Sequence, residues 1–176
     1  KSVYLLHGVT GSGKTEVYME LIDFVRKQSK QAIFLIPEIA LTYQMVLRFY
    51  QRFGSRVSIL HSRMSAGERY DQYEKAKNGE IDIMIGPRSA LFTPFSNLGI
   101  IIIDEEHEES YKSETVPRYH ARETAQRRAE MEGAKLILGS ATPSVESYYR
   151  AEKGEYCLLE MKRRANRQKL PYVWIG

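Results

Sequence analysis

The sequence VYLLHGVTGSGKT, which occupies residues 3–15, decides the fold. Its first four residues form an apolar run that predicts a short buried strand, and the turn that follows is rich in glycine. Residues 8–15 match the pattern G-x-x-x-x-G-K-[ST], and a helical pattern begins near Lys14. A strand, a glycine-rich loop and a helix in this order predict a loop whose backbone N–H groups surround a chain of phosphates.

Residues 8–15, called the phosphate loop below, predict a nucleotide site. Lys14 can reach the β and γ phosphate oxygens, and the hydroxyl of Thr15 can coordinate Mg²⁺. The alternative is a glycine-rich turn before an ordinary helix, but the strand and the helix on either side favour nucleotide binding. The predicted nucleotide-binding residues are Gly8, Thr10, Gly11, Ser12, Gly13, Lys14 and Thr15.

Six further apolar runs predict the other strands of a sheet. Most of them are continuous rather than alternating, which is typical of parallel strands buried on both faces. Amphipathic helical patterns separate them, as in the apolar spacing of residues 46–53. The seven predicted strands are residues 3–6, 32–36, 57–60, 81–85, 100–103, 136–138 and 156–159. This alternation predicts an α/β domain of three layers (α/β/α) with a mostly parallel sheet.

Two local signals predict helix starts. Ser65 and Glu68 have the spacing of a capping box, in which each side chain accepts a hydrogen bond from the backbone N–H of the other residue. Thr142 followed by Pro143 predicts the N-cap and the first residue of a later helix.

Composition limits the class of protein. The chain has 176 residues, of which 43% are hydrophobic and 27% are charged, as in one folded domain. Its single cysteine, Cys157, excludes an internal disulfide and a zinc cluster and fits a reducing cytoplasm. The longest apolar run, residues 100–103, is too short to cross a membrane, and the net charge of +4 permits a nucleic-acid partner.

Both ends of the sequence suggest a fragment of a longer protein. The chain enters a strand pattern directly, without a leader. Residues 161–176 are basic and lose the periodicity of the preceding segments, so we expect a domain at residues 1–160 followed by a basic linker at 161–176.

The sequence IIIIDEEH at residues 100–107 carries the second functional signal. Its carboxylates follow a buried strand, at the edge of the sheet where α/β proteins bind their ligands. Asp104 is suited to hold Mg²⁺, and Glu105 is suited to orient and deprotonate an attacking water. Together with Lys14 these two are the predicted catalytic residues. The alternative is a solvated acidic helix start, and His107 is either a relay or an ordinary polar residue.

Several motifs together resemble a known family. Residues 104–107 and 139–143 resemble motifs II and III of superfamily 2 helicases. The full set is similar to the PriA family of bacterial replication-restart helicases: GVTGSGKTEVY (8–18), PEIALT (37–42), RSALF (88–92), PRYHAR (117–122) and GSATPS (139–144). Two positions depart from that family, because Tyr43 and Pro87 stand where proline and threonine are usual.

The resemblance implies the first RecA-like motor lobe of an ATP- and Mg²⁺-dependent 3′→5′ DNA helicase in replication restart and primosome assembly. It implies single-stranded and forked DNA, primosome proteins and single-strand-binding protein as partners, in the cytoplasm and without a membrane. Zinc is expected only in a cysteine-rich module outside this sequence. Because the family completes its ATP site with an arginine from a second lobe, we expect the chain alone to be a weak ATPase.

Residues 108–122 mix aromatic and cationic side chains, which can stack on bases and bind phosphates. The segment resembles the aromatic-rich loop that couples DNA binding to ATP hydrolysis in the PriA family. The alternative is a polar loop with tyrosines that face the core. The predicted coupling or DNA-contacting residues of the chain are Thr42, Arg88, His107, Tyr111, Lys112, Arg118, Tyr119, Ser140 and Thr142.

Two other functions remain open from the residues. A small-molecule phosphotransferase would also use a phosphate loop, but it would not explain residues 139–143. A nucleotide-switched binding module would need no catalytic base, so Glu105 argues against it.

Overall fold

The parallel sheet predicted from the apolar runs forms the centre of the computed structural model, which describes residues 1–165. Its seven strands are all parallel to their neighbours and follow the order β3-β4-β2-β5-β6-β1-β7. The strands are β1 (Val3–Gly8), β2 (Gln31–Leu35), β3 (Val57–Ile59), β4 (Ile83–Gly86), β5 (Leu98–Ile103), β6 (Lys135–Ser140) and β7 (Cys157–Met161). The predicted α/β class and parallel sheet are therefore confirmed.

Helices cover both faces of the sheet. The α-helices are α1 (Lys14–Lys27), α2 (Tyr43–Phe53), α3 (Ala66–Lys77), α4 (Ala121–Glu132) and α5 (Val145–Glu152). Short 3₁₀ helices lie at Glu38–Ala40, Gly54–Arg56, Arg88–Phe92 and Glu109–Tyr111. Among the described residues, no helix combines the length and the apolar character that a membrane crossing requires.

The isoleucines of β5 show how the core is divided. Ile100 and Ile102 pack in the apolar cluster that contains α1 and α2, whereas Ile101 and Ile103 pack in the cluster that contains α4. Alternate side chains of a strand point to opposite faces, so a continuous apolar run serves two cores at once. The layered architecture follows from this pattern.

Of the two predicted helix starts, the one before α3 is confirmed and the one before α5 is not. The capping box is present before α3, because Ser65 Oγ accepts from Glu68 N at 3.2 Å and the Glu68 carboxylate accepts from Ser65 N at 2.6 Å. The prediction for Thr142 and Pro143 is wrong. Helix α5 begins at Val145, and its N-cap is Ser144, whose hydroxyl accepts from Ser147 N at 3.2 Å.

The strand bounds differ slightly from prediction. Strand β4 begins at Ile83 rather than at residue 81, and β7 ends at Met161 rather than at residue 159. The first residues of the predicted linker turn back onto the phosphate loop, where Ala165 N donates to Gly11 O at 3.0 Å. Residues 166–176 of that linker lie outside the described residues.

Candidate active site

The phosphate loop connects the end of β1 to the start of α1. Gly11 and Gly13 have φ angles of +77° and +89°, in the left-handed region that side chains with a Cβ rarely adopt. A Cβ at Gly8 would lie 2.6 Å from the Ser12 hydroxyl, so a larger residue at this position would displace the Ser12 side chain. The loop is closed by a hydrogen bond from Ser12 N to Val9 O at 3.0 Å. The glycines of the motif thus allow a narrow turn that a bulkier sequence would not.

Lys14 lies across the mouth of this turn. Its ammonium donates to the carbonyl of Gly8 at 2.8 Å. Beside it is a cavity of about 360 Å³, within the usual range for small-ligand pockets. The buried Ser12 hydroxyl has no hydrogen-bond partner in the described structure. The residues that line the cavity are Thr10, Gly11, Ser12, Gly13, Lys14, Thr15, Glu16, Arg48, Asp104 and Glu105. The structure therefore brings the predicted loop and the two predicted acidic residues to one cavity.

Asp104 is fixed at the end of β5. Its N–H donates to Leu35 O at 2.9 Å, which extends the pairing with β2 by one residue. Its carboxylate accepts a hydrogen bond from the Tyr18 hydroxyl at 2.8 Å, and only 8% of the residue is exposed. Burial raises the pKa of Asp104, while the bond from Tyr18 and the charge of Lys14 oppose that rise. A cation in the cavity would keep this carboxylate ionised.

Glu105 has an unusual backbone conformation, with φ at +49°. Burial raises the pKa of its carboxyl group, and the neighbouring charge of Asp104 raises it further. A raised pKa suits a group that must accept a proton near neutral pH. His107 lies between Glu105 and β6, since its Nε2 is 3.6 Å from a Glu105 carboxylate oxygen and its Nδ1 is 2.7 Å from Ser140 Oγ.

The residues present fit a nucleotide bound with Mg²⁺. Thr15 and Asp104 supply a hydroxyl and a carboxylate oxygen to one cavity, which are the ligand types that Mg²⁺ prefers. Within the described part of the chain, no group of three or more His, Cys, Asp or Glu residues could bind a metal by itself. A Mg²⁺ ion here would therefore take most of its ligands from phosphate oxygens and water.

The 108–122 segment starts at this cluster and forms a closed loop. Lys112 and His120 form an antiparallel bridge, and Ser113 N donates to Tyr119 O at 2.7 Å. Arg118 is exposed within this loop. The Tyr119 ring packs edge-on against Phe92 at 5.5 Å. Lys112 and Arg118 are exposed and Tyr119 is partly exposed, as contact with a nucleic acid requires.

Tyr111 does not fit the predicted stacking role. It is 1% exposed, and its hydroxyl donates to the backbone carbonyl of Asp104 at 2.5 Å. This tyrosine faces the core because it follows the strand end by one short 3₁₀ turn. In this structure Tyr111 is not available to stack on bases, and its predicted role in coupling stays a prediction. What it provides is a direct link between the 108–122 segment and the acidic cluster.

The other predicted contact residues lie at the same edge of the sheet, in different settings. Thr42 is exposed but caps α2, where its hydroxyl accepts from Met45 N at 3.3 Å. Arg88 donates to the carbonyl oxygens of Ser110 and Lys112, and its guanidinium lies 5.4 Å from the Tyr119 ring centroid. Thr42 thus has a structural role that its sequence setting did not reveal, and Arg88 supports the 108–122 segment.

Residues 139–144 reach the acidic cluster through Ser140. This serine is fully buried, contacts His107 and accepts from Thr142 N at 2.9 Å. Thr142 itself is exposed. Gly139 approaches α1 so closely that an added Cβ would lie 1.7 Å from the Tyr18 hydroxyl. The glycine therefore makes room for the tyrosine that binds Asp104.

Sequence reasoning missed several residues of the site. Tyr18 bonds Asp104, Arg48 pairs with Glu16 at the cavity, and Glu106 forms a buried ion pair with Arg122. A signal for Tyr18 exists, since it follows Lys14 by four residues and lies on the same face of α1. Arg48 and Arg122 are distant in sequence from their partners, and no local pattern reveals those pairs.

Comparison with known proteins agrees with this geometry. The sequence profile of the DEAD/DEAH box helicase family matches residues 1–151. The chain is 57% identical to the replication restart protein PriA of Bacillus subtilis (strain 168), over 97% of this chain and 21% of that protein. It is 48% identical to the protein of the same name from Synechocystis sp., again over 97% and 21%. The chain thus spans about a fifth of the length of these relatives.

Solved structures show the same fold. A structure of RecG bound to a three-way DNA junction has a TM-score of 0.63 and 24% identity, over 96% of this chain and 21% of that one. The Hef helicase domain of Pyrococcus furiosus has a TM-score of 0.66 and 16% identity, over 99% of this chain and 39% of that one.

Because the helicase profile covers most of the sequence, the chain belongs to the DEAD/DEAH box helicase family. The expected three-layer, RecA-like fold is confirmed. Within that class, the resemblance to the PriA family inferred from the separate motifs is confirmed by the relatives.

Proposed function

We propose that this chain is the ATP-hydrolysing first motor lobe of a 3′→5′ DNA helicase that acts in replication restart and primosome assembly. The observation that carries the proposal is the bond from Tyr111 to the carbonyl of Asp104, which connects the aromatic and basic 108–122 segment directly to the acidic cluster. A site that only transferred phosphate to a small molecule would have no need of this connection. The relatives' name supports the biological setting.

The residues divide the chemistry among them. The backbone N–H groups of the phosphate loop and the Lys14 ammonium bind the phosphates and offset their negative charge. Thr15 and Asp104 hold the metal ion, which supplies further charge neutralisation when bound. Glu105 orients water and accepts its proton, and the raised pKa of its carboxyl group assists that step.

The DNA side of the proposal rests on the exposed and partly exposed residues of the 108–122 segment. Arg118 and Lys112 present cations, and Tyr119 presents a partly exposed ring beside Arg88. Phosphate contacts from these cations and stacking on the ring would bind a single strand at the edge of the sheet where the nucleotide cavity lies. His107, Ser140 and Thr142 then connect this region to the cavity.

Further parts of the proposal concern the longer protein. Forked DNA, primosome proteins and single-strand-binding protein are its proposed partners, and the cytoplasm is its proposed compartment. We propose that the 176-residue chain alone is a weak ATPase, because the family completes its site with an arginine from a second lobe. Arginine fingers in related phosphoryl-transfer enzymes contribute about 10³–10⁵ in rate.

A phosphate-release assay on the full-length protein tests the proposal. We expect single-stranded DNA to stimulate hydrolysis, and we expect the variant Arg118→Ala/Tyr119→Ala to lose most of that stimulation. The matched control is Arg127→Ala, which removes an exposed arginine from α4 outside the loop. Equal rates of hydrolysis with and without DNA in the wild-type protein would contradict the helicase assignment. Transfer of phosphate to a small acceptor would instead support the phosphotransferase alternative.

A further inference from the structure

Glu105 is held in a conformation that a residue with a side chain rarely adopts. Its φ of +49° lies in the left-handed region, and the chain turns there between two other acidic residues. Such a conformation persists only where the surrounding structure fixes the backbone on both sides. The position of the Glu105 carboxylate therefore depends on what anchors Asp104 and Glu106.

The anchor before Glu105 holds Asp104 at three points. Asp104 is bound through its N–H by Leu35, through its carboxylate by Tyr18 and through its carbonyl by Tyr111. All three bonds have donor–acceptor distances between 2.5 and 2.9 Å. This side of the turn is fixed by the sheet, by α1 and by the 3₁₀ helix that contains Tyr111.

The anchor after Glu105 is a buried carboxylate. Glu106 is 1% exposed, and its N–H donates to Gly139 O at 3.1 Å. Its side chain accepts from Ser144 N at 2.6 Å and from Ser147 Oγ at 3.0 Å, at the N-terminal end of α5. It therefore ties the residue after Glu105 to both β6 and α5.

Arg122 supplies the countercharge for Glu106. It is 5% exposed, and its guanidinium lies 3.4 Å from Glu106 and 2.6 Å from Glu146. Its backbone N–H donates to His120 Nδ1 at 3.1 Å, in the N-cap of α4. Arg122 is also the last residue of the 108–122 segment. One guanidinium thus joins the end of that segment to the backbone turn that carries Glu105.

We propose that Arg122 is a positioning residue for hydrolysis, which acts through Glu106 to keep the Glu105 backbone in its left-handed conformation. The inference rests on the proposed function, since Glu105 has a task only if the site hydrolyses a nucleotide. Arg122 does not line the nucleotide cavity. Its loss should therefore change the rate of the chemical step and leave nucleotide affinity nearly unchanged, because a misplacement of about 1 Å can cost 10²-fold in rate.

A residue with only a structural role would behave differently. Removing a buried charge destabilises a fold wherever it lies, and the active molecules that remain would turn over at the normal rate. The informative readout is therefore kcat per nucleotide-binding site, with KM and thermal stability measured beside it. This split separates loss of folded protein from loss of positioning.

The experiment compares four single variants and one double variant of the full-length protein at saturating single-stranded DNA. Arg122→Met removes the guanidinium, Arg122→Lys restores the charge without the planar fork, and Glu106→Gln removes the carboxylate charge but keeps an acceptor for Ser144 N. The matched control is Arg128→Met on the same helix, which removes a partly buried arginine paired with Glu132. Binding sites are counted by nucleotide titration.

We expect kcat to fall about ten- to a hundredfold in Arg122→Met and Glu106→Gln, with KM changed less than about threefold. Arg122→Lys should recover part of the loss, and combining Arg122→Met with Glu106→Gln should cost little more than either alone. Arg128→Met should lower the melting temperature and keep kcat per site.

Two results would overturn the proposal. One is an unchanged kcat per site in Arg122→Lys and Glu106→Gln, which decides the matter even if Arg122→Met fails to fold. The other is strict additivity of the double variant. Lys14→Ala is measured in the same assay, because turnover that survives this change would contradict the proposed function itself rather than the positioning by Arg122.

Discussion

The phosphate loop and the acidic cluster lie at the same edge of the sheet but are built in different ways. The loop owes its turn to its own residues, through two left-handed glycines and a bond between residues three apart, although residues 161 and 165 also bond to its backbone. The cluster at residues 104–107 is shaped by distant residues, since Tyr18 binds Asp104 and Ser144 binds Glu106. A local backbone site can be recognised in one stretch of sequence, whereas a site made by side chains from several elements cannot.

The sharpest test of this contrast is the chemical step, where the acidic cluster should matter most. In the full-length protein, Glu105→Gln should lower kcat for ATP about 10²–10⁴-fold, because it removes a positioned general base. Nucleotide affinity should remain, since the phosphate loop is intact. Phosphate release and equilibrium titration measure the two effects. A fall in affinity that matches the fall in rate would show that the two regions are not separable.

The complementary change is in the phosphate loop. Lys14→Ala should weaken ATP·Mg²⁺ binding about 10- to 150-fold, because a charge-assisted contact that contributes about 1.5–3 kcal/mol to binding is lost. Calorimetric titration of the full-length protein is the measurement. Lys27→Ala is the control, because it removes an exposed lysine from the other end of the same helix. Equal affinity in the wild-type protein and the Lys14 variant would exclude this loop as the phosphate site.

A third prediction concerns the long-range contacts of the acidic cluster. Gly139→Ala should destabilise the protein by about 1–3 kcal/mol, as overpacking does, because the new methyl group would displace Tyr18 from Asp104. Gly67→Ala in α3 is the control, since its nearest neighbour is the Ser65 hydroxyl at 3.9 Å and it should be neutral or slightly stabilising. Thermal melts compare the two, and equal melting temperatures would refute the close contact.

The smallest expected effect is a pH dependence at the start of α4. Burial lowers the pKa of His120, and the charge of Arg122 lowers it further. The unfolded chain therefore binds a proton that the folded chain does not, and local stability falls as the pH drops below about 6.5. His120→Asn keeps a capping acceptor without this titration.

Hydrogen–deuterium exchange of residues 119–132 in the full-length protein measures this effect. At pH 7 the wild-type protein and His120→Asn should exchange at the same rate. At pH 5.5 the wild-type protein should exchange about two- to threefold faster than His120→Asn does at that pH. Burial raises the pKa of Asp104 and Glu105, which favours the folded state as pH falls, but both proteins share that effect. Identical exchange at both pH values would show that protonation of His120 does not weaken the start of α4.

The comparison also explains which predictions succeeded. The strands and the phosphate loop follow from contiguous sequence patterns, and the structure contains the predicted strands and the predicted loop between β1 and α1. Thr142 fits the N-cap pattern, but Ser144 caps α5 because its N–H and hydroxyl also bind the buried Glu106. Tyr111 and Tyr119 look alike in sequence, yet only Tyr119 reaches the surface, since Tyr111 lies beneath the end of β5. Local patterns do not specify which of several candidates meets a distant partner.

The isoleucine run of β5 has a consequence for insertions and deletions. Ile102 and Asp104 are two residues apart in an extended chain, so both side chains point toward the α1 side, where Tyr18 binds the carboxylate. Exchanging one isoleucine for valine would change only the packing. Deleting one isoleucine would shift the alternation of side chains by one residue. Either the isoleucines or the Asp104 carboxylate would then point to the wrong face of the sheet. The length of this run is therefore more constrained than its composition.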